Sequence, residues 1–372
     1  MKRRDAIRRV AAGAAALALP AWAQAGRIVL GQSAALTGPA AQLGIQMNLG
    51  AKVCFDQLNA SGGVNGQQIE LRVLDDGYEP DRCKANTEKL IKDDVFGLIG
   101  YVGTPTCVAA LPLITDAKIP FFGPFTGAEV LRDPFNKTVF HLRASYYDET
   151  ALIVRLLTSL GLDKIAVMYQ NDAYGKAGLE GVTRALKPLG LAPVALSTVE
   201  RNSVDVARAV AEIVPKAPNA VVQISAYKSC AAFIRAARKA GYGGSFYNVS
   251  FVGTQALADE LGREGAGVMV SQVMPFPFSN TSQIAREYRE AFAKTGAPPN
   301  YSSMEGYLAA RVFADGLRRA GRNPSRDTVV AGLESIQNAN FGGFRVDFSA
   351  RDHVASSFVD LAMLTEDGKV RR

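Results

Sequence analysis

The chain has little from which to build a metal or thiol-redox centre. Its 372 residues include two histidines and four cysteines, Cys54, Cys83, Cys107 and Cys230, none spaced as CxxC. Zinc and thiol-redox sites need such clustering, so no metal and no cofactor is expected. The sequence also lacks a G-x-S-x-G elbow, a Walker loop, HExxH and a strand-borne G-x-G-x-x-G. His353 has no nucleophile close by in sequence, and His141 reads as structural. Asp75-Asp76 could serve as an acid/base pair, but after an apolar strand it reads better as a strand end that caps a turn. These absences argue against an enzyme.

A strong excess of one charge is missing too, once the N-terminus is set aside. The net charge is +7, but residues 1–25 hold five basic side chains and one acidic one, which leaves the remainder near +3. Nothing in that balance calls for nucleic acid. Lys2, Arg3, Arg4, Arg8 and Arg9 precede a short apolar run, Val10 to Leu19, and small-x-small sites at Ala21-Trp22-Ala23 and Ala23-Gln24-Ala25. This is the pattern of a signal peptide over residues 1–25, which predicts export to the periplasm. Arg3-Arg4-Asp5-Ala6-Ile7-Arg8 is similar to a twin-arginine motif without its usual phenylalanine, so a Sec route stays open. No second apolar run is long enough to span a bilayer. The roughly 350 remaining residues suffice for two domains with ample cores.

What is present is alternation. Strand-like runs at 28–33, 69–74, 120–122, 139–142, 164–169, 220–224, 245–249 and 268–272 are separated mostly by helical stretches, such as 41–59 and 80–94. That order predicts an α/β fold of parallel sheets covered by helices on both faces. Ligands of such folds collect beyond the carboxyl ends of the strands. Three turns fall there. In Gly103-Thr104-Pro105, after the apolar run ending at Val102, Thr104 is placed as N-cap and Pro105 as the first helical residue. In Gly123-Pro124-Phe125-Thr126-Gly127-Ala128-Glu129, Thr126 and Glu129 have capping-box spacing. The third is Asn171-Asp172-Ala173-Tyr174-Gly175. A helix start offers unpaired N–H groups and positive potential, so two threonine-bearing starts in neighbouring units could hold one carboxylate; both could equally be ordinary capped helices.

Further markers are Leu36-Thr37-Gly38-Pro39 with Gly44, Asn59-Ala60-Ser61-Gly62-Gly63-Val64-Asn65-Gly66, Gly306-Tyr307 and Phe341-Gly342-Gly343-Phe344. In this order the chain resembles, over Arg27–Arg372, the type I periplasmic binding proteins of the leucine/isoleucine/valine-binding family. The resemblance implies two doubly wound parallel-sheet lobes joined by a three-crossover hinge, with the crossings near 143–146, 272–275 and 344–348. The N-terminal lobe would comprise 27–144 plus 274–345, and the C-terminal lobe 145–273 plus 346–372. A small ligand, an amino acid or organic acid, would be trapped by hinge closure. It would be passed by a monomer to an ABC permease of the inner membrane; a sensing subunit for a membrane receptor would use the same fold.

The resemblance also implies site residues. A ligand carboxylate would meet Thr104, Pro105, Phe125 and Thr126, with Tyr78 beside them, while Tyr174 and Tyr227 close from the second lobe. The family's acidic partner for a ligand ammonium falls at or near Phe251, which cannot form an ion pair, and Glu305 is the candidate to supply the charge from the other lobe. The resemblance implies a branched-chain or other apolar amino acid as the first expectation, and Phe251 makes an aromatic or other organic acid without an ammonium group the alternative. The family's disulfide positions are Tyr78 and Gly103 here, and the resemblance implies a bridge displaced by one helical turn, Cys83–Cys107, with Cys54 and Cys230 free.

Overall fold

The computed structural model describes residues 26–372, and the signal peptide expected at 1–25 lies outside the described residues. The order of elements follows the alternation of the sequence. β1 (Arg27–Ala34), α1 (Ala41–Ala60), β2 (Gln68–Asp75), α2 (Pro80–Lys92), β3 (Gly97–Ile99), α3 (Thr104–Asp116), β4 (Phe121–Phe122) and β5 (Val139–Phe140) make a first lobe. Its strands are all parallel, in the order β2-β1-β3-β4-β5. β3 and β4 are buried on both faces, which is why they read as continuous apolar runs.

After β5 the chain crosses to a second lobe: α4 (Tyr146–Ser159), β6 (Ile165–Gln170), α5 (Ala173–Leu186), β7 (Ala195–Val199), α6 (Ala207–Ile213), β8 (Ala220–Ile224), α7 (Tyr227–Lys239), β9 (Ser245–Asn248), α8 (Thr254–Leu261) and β10 (Met269–Gln272). α9 (Gln283–Phe292), α10 (Tyr301–Ala320) and α11 (Arg326–Glu334) then return to the first lobe, where α10 lies along α1. That contact is backbone on backbone. A Cβ built on Gly50 would stand 1.9 Å from the Ser303 carbonyl oxygen, and one on Gly306 2.1 Å from that of Met47.

A hairpin of β11 (Ala339–Phe341) and β12 (Phe344–Val346) follows, and β13 (Asp360–Leu364) and β14 (Val370–Arg371) finish the second sheet. That sheet runs β14-β13-β10-β9-β8-β6-β7, its last two strands antiparallel. Between the hairpin and β13 the chain runs beside β5. The His141 N–H donates to the His353 carbonyl (2.8 Å), and the His353 ring stacks on Phe140 at 3.7 Å. No described helix is long and apolar enough to cross a membrane.

The Cys83–Cys107 bridge is not formed. Both are free, fully buried thiols in one apolar cluster with Leu98, Tyr101 and Ile114. Burial pushes both thiols far above their ordinary value, so they have almost no thiolate for exchange. At the family's own bridge position the Tyr78 ring covers Gly103, so closely that a Cβ there would meet its ring carbon at 2.2 Å. Cys54 and Cys230 are free and buried as expected.

Candidate functional site

β3 stops at Ile99 because Gly100 takes φ of 65°, and Gly103, at 98°, turns the chain into α3. Only glycine holds such angles without strain. The helix begins one residue earlier in its capping scheme than the sequence implies: Gly103 is the N-cap, Thr104 the first helical residue and Pro105 the second. The Thr104 side chain is thereby freed from capping. Its hydroxyl lies 2.6 Å from that of Thr126, and both residues are fully buried. The capping box expected of Thr126 and Glu129 does not form; the Thr126 hydroxyl instead accepts from the Ala128 N–H (3.2 Å) and donates to the Tyr146 hydroxyl (3.3 Å). Two neighbouring βα turns thus present a pair of hydroxyls at a helix N-terminus, where positive potential favours an anion.

The second lobe closes this region with aromatics. Phe251, on the loop after β9, sits 4.5 Å from the Tyr174 ring centroid, and 5.7 Å from each of Tyr78 and Phe125. Tyr174 follows Asp172, which caps α5 by accepting from the Tyr174 and Gly175 N–H groups (2.9 and 3.4 Å). Gln170 at the end of β6 donates to the Tyr78 hydroxyl across the lobes (3.1 Å). Thr104, Pro105, Phe125, Thr126, Tyr78, Tyr174 and Phe251 are all buried along this junction. Tyr227 opens α7 and is also buried, its hydroxyl turned to the Gln42 backbone on α1.

Glu305 is not a free carboxylate. Both its oxygens accept from Arg143, at 2.8 and 2.7 Å, and a third Arg143 nitrogen donates to the Ser250 hydroxyl (3.1 Å). Pair and partner are almost fully buried. Burial alone would push the Arg143 guanidinium down; the Glu305 carboxylate outweighs it and raises it instead. The guanidinium also lies over the Phe125 ring, 4.2 Å from its centroid. Behind Ser250, Glu149 accepts from the Ser250 N–H (2.7 Å) and hydroxyl (3.0 Å) and from the Ser271 hydroxyl. Burial raises the Glu149 carboxyl above its usual range, with Arg143 and these donors opposing the rise. Arg143, Glu149, Ser250 and Gln170 escaped sequence reasoning, since none belongs to a local motif. The cavity lined by Phe125, Arg143, Ser250 and Glu305 is only about 10 Å³, while a hollow of about 870 Å³ lies away from these residues, on the first lobe's surface between α3 and residues 130–138.

Rim contacts join the lobes. Arg201, after β7, donates across to Glu79 (2.8 Å) and within its own lobe to Asp172 (3.4 Å), and Asn202 donates across to the Gly77 carbonyl (3.0 Å) and Glu79 (2.8 Å).

Asp75 and Asp76 hold the turn before α2. Asp75 accepts from the N–H groups of Leu36 and Gly77 and the Thr37 hydroxyl. Asp76 accepts from the Ser33 hydroxyl (2.7 Å) and the Tyr78 N–H (2.8 Å), which fixes Tyr78 at φ of 63°. Burial raises the Asp76 carboxyl to about 6 from 3.8, although Ser33 and Tyr78 pull the other way. A carboxyl raised on folding contributes stability that is complete below its unfolded value and is lost as pH rises through the folded one. Asp76→Asn should therefore gain on the parent between pH 4 and 7, by up to about 3 kcal/mol. Denaturation midpoints across that range test this; a constant difference between the proteins counts against it.

A sequence profile described as periplasmic binding protein matches residues 27–369. A solved structure of a possible leucine/isoleucine/valine-binding protein from Rhodopirellula baltica superposes with a TM-score of 0.90 at 34% identity, covering 93% of this chain and 96% of that one. A substrate-binding periplasmic protein from Ralstonia solanacearum superposes with a TM-score of 0.88 at 31% identity, covering 92% and 99%. The Leu/Ile/Val-binding protein homolog 7 of Brucella melitensis is 25% identical over 97% of this chain and 94% of its own length.

Proposed function

The chain belongs to the periplasmic binding protein family, of the leucine/isoleucine/valine-binding type, and from that premise we propose that it captures a small hydrophobic carboxylate between its lobes and delivers it to an ABC permease. Members of this family are receptors and not enzymes. The observation that carries the reading is the buried Thr104–Thr126 hydroxyl pair at the start of α3, whose Thr126 member reaches the Tyr146 hydroxyl of the second lobe. We assign 27–144 and 274–355 to one lobe and 145–273 with 356–372 to the other, drawing the third crossing after Ala355, because residues 353–355 pair with His141. The receptor acts as a periplasmic monomer in this reading.

Two ligand classes remain in play. Leucine, isoleucine and valine stand in the names of relatives. The side-chain pairing favours an organic acid without an ammonium group: Glu305 is taken by Arg143, Glu149 by Ser250 and Ser271, and Asp172 by its cap and Arg201. A buried ammonium would find no free carboxylate, and an unpaired buried charge is costly. Titration calorimetry with leucine, valine, 4-methylpentanoate and benzoate separates the classes; amino acids binding more tightly than their desamino counterparts would overturn the organic-acid preference. Thr104→Ala and Thr126→Ala should each weaken carboxylate binding by about 1–3 kcal/mol, since a buried anion loses a donor. Unchanged affinity in both would remove the clamp.

A further inference from the structure

Besides Asn202 Oδ1 and Gln223 Oε1, three buried side-chain oxygens of the second lobe have no hydrogen-bond partner: Gln170 Oε1, the Tyr174 hydroxyl and Ser225 Oγ. The fold places them together. Tyr169 on β6 pairs with Ile224 on β8, so Gln170 and Ser225 are the next residues along two adjacent parallel strands. Tyr174 lies in the first turn of α5, which packs over Ile224 through Gly178. Cys230 connects the group, its thiol donating to the Ser225 carbonyl (3.4 Å) and lying among the groups that influence the Tyr174 hydroxyl. All three residues are fully buried. They stand at the carboxyl ends of the strands, the edge at which α/β folds bind ligands. Gln170 also donates to Tyr78 of the first lobe, and the Tyr174 ring packs on Phe251.

A buried polar atom without a partner disfavours folding, and a cluster of them points to a partner supplied from outside. Gln170 Oε1 can only accept, whereas the two hydroxyls can donate or accept. The matching group must donate to Gln170 Oε1 and can donate to or accept from the two hydroxyls; a neutral group fits, since the carboxylates around it are taken, Asp172 by Gln170, Arg201 and the start of α5, and Glu149 by Ser250 and Ser271. We propose that Gln170, Tyr174 and Ser225 form a subsite for an uncharged hydroxyl on the ligand, remote from the carboxylate held by Thr104 and Thr126. This rests on the receptor reading above and narrows its ligand class to hydroxylated hydrophobic acids.

Four probes cross the two features: 3-phenylpropanoate, 3-(4-hydroxyphenyl)propanoate, phenylalanine and tyrosine, with leucine and valine alongside, all measured by calorimetry on the mature protein. The hydroxylated acid should bind at least about tenfold more tightly than its parent. Ser225→Ala and Tyr174→Phe should each reduce that ratio toward one. Neither should lower the melting temperature, because each removes an unpaired buried atom; a structural role would lower it. Equal binding with and without the hydroxyl overturns the subsite and leaves the receptor reading standing. So does a gain from the ammonium alone, or binding of leucine or valine with none of the four probes. Failure of every carboxylate overturns both.

Discussion

Arg143→Ala is expected to destabilise the protein by about 3–5 kcal/mol, because it strands the buried Glu305 carboxylate. The guanidinium makes three hydrogen bonds and lies against Phe125, so alanine also opens a void between the lobes. The loss should not be symmetric with removing the pair. Replacing both members by apolar residues of similar volume, Arg143→Met with Glu305→Leu, should recover most of it, since no charge is then left buried alone. Urea denaturation of the parent, the single and the double variant reads the coupling directly. A double variant as unstable as the single one would mean that packing, and not charge, fixes this junction.

Gly306→Ala should be nearly as damaging although helix propensity argues the opposite way. Alanine favours a helix interior by about 1 kcal/mol over glycine. Here the added Cβ would stand 2.1 Å from the Met47 carbonyl oxygen and 3.0 Å from the Ala51 nitrogen, and backbone cannot rotate away. α10 would have to lift off α1, for a net loss at or above the upper end of about 1–3 kcal/mol. Gly243→Ala is the control: a Cβ added there would meet nothing within 4 Å, and a change within about 0.5 kcal/mol is expected. A neutral Gly306→Ala would mean that the two helices tolerate separation.

The sheets were largely legible because fully buried strands such as Ala220–Ile224 leave unbroken apolar runs. β7 was missed: Ala195–Val199 lies at the sheet edge, and its Leu196 is 45% exposed, so its pattern is weak. The antiparallel β13 and β14 were missed for a related reason, being short additions at the other edge. At the site, Thr104 and Thr126 stood out because turn chemistry is local. Their cap assignments failed because the glycine took the N-cap and released the threonine. The Arg143–Glu305 pair is different in kind. Its members are 162 positions apart, each ordinary alone, and only the return of α10 to the first lobe joins them. The free thiols were hidden in another way: the resemblance supplied a disulfide, and nothing in the residues beside Cys83 or Cys107 revealed that Tyr78 covers Gly103.

Arg201 and Asn202 grip Glu79 and Gly77 at the rim, where the Glu79 side chain is 42% exposed. Dissolved ions screen a charge pair in that position, whereas the Arg143–Glu305 pair behind it is beyond their reach. The protein thus carries an outer fastening between the lobes that responds to the medium and, within the first lobe, an inner ion pair that does not. Salinity would act mainly on how long a captured molecule dwells before release, and much less on which molecule is chosen.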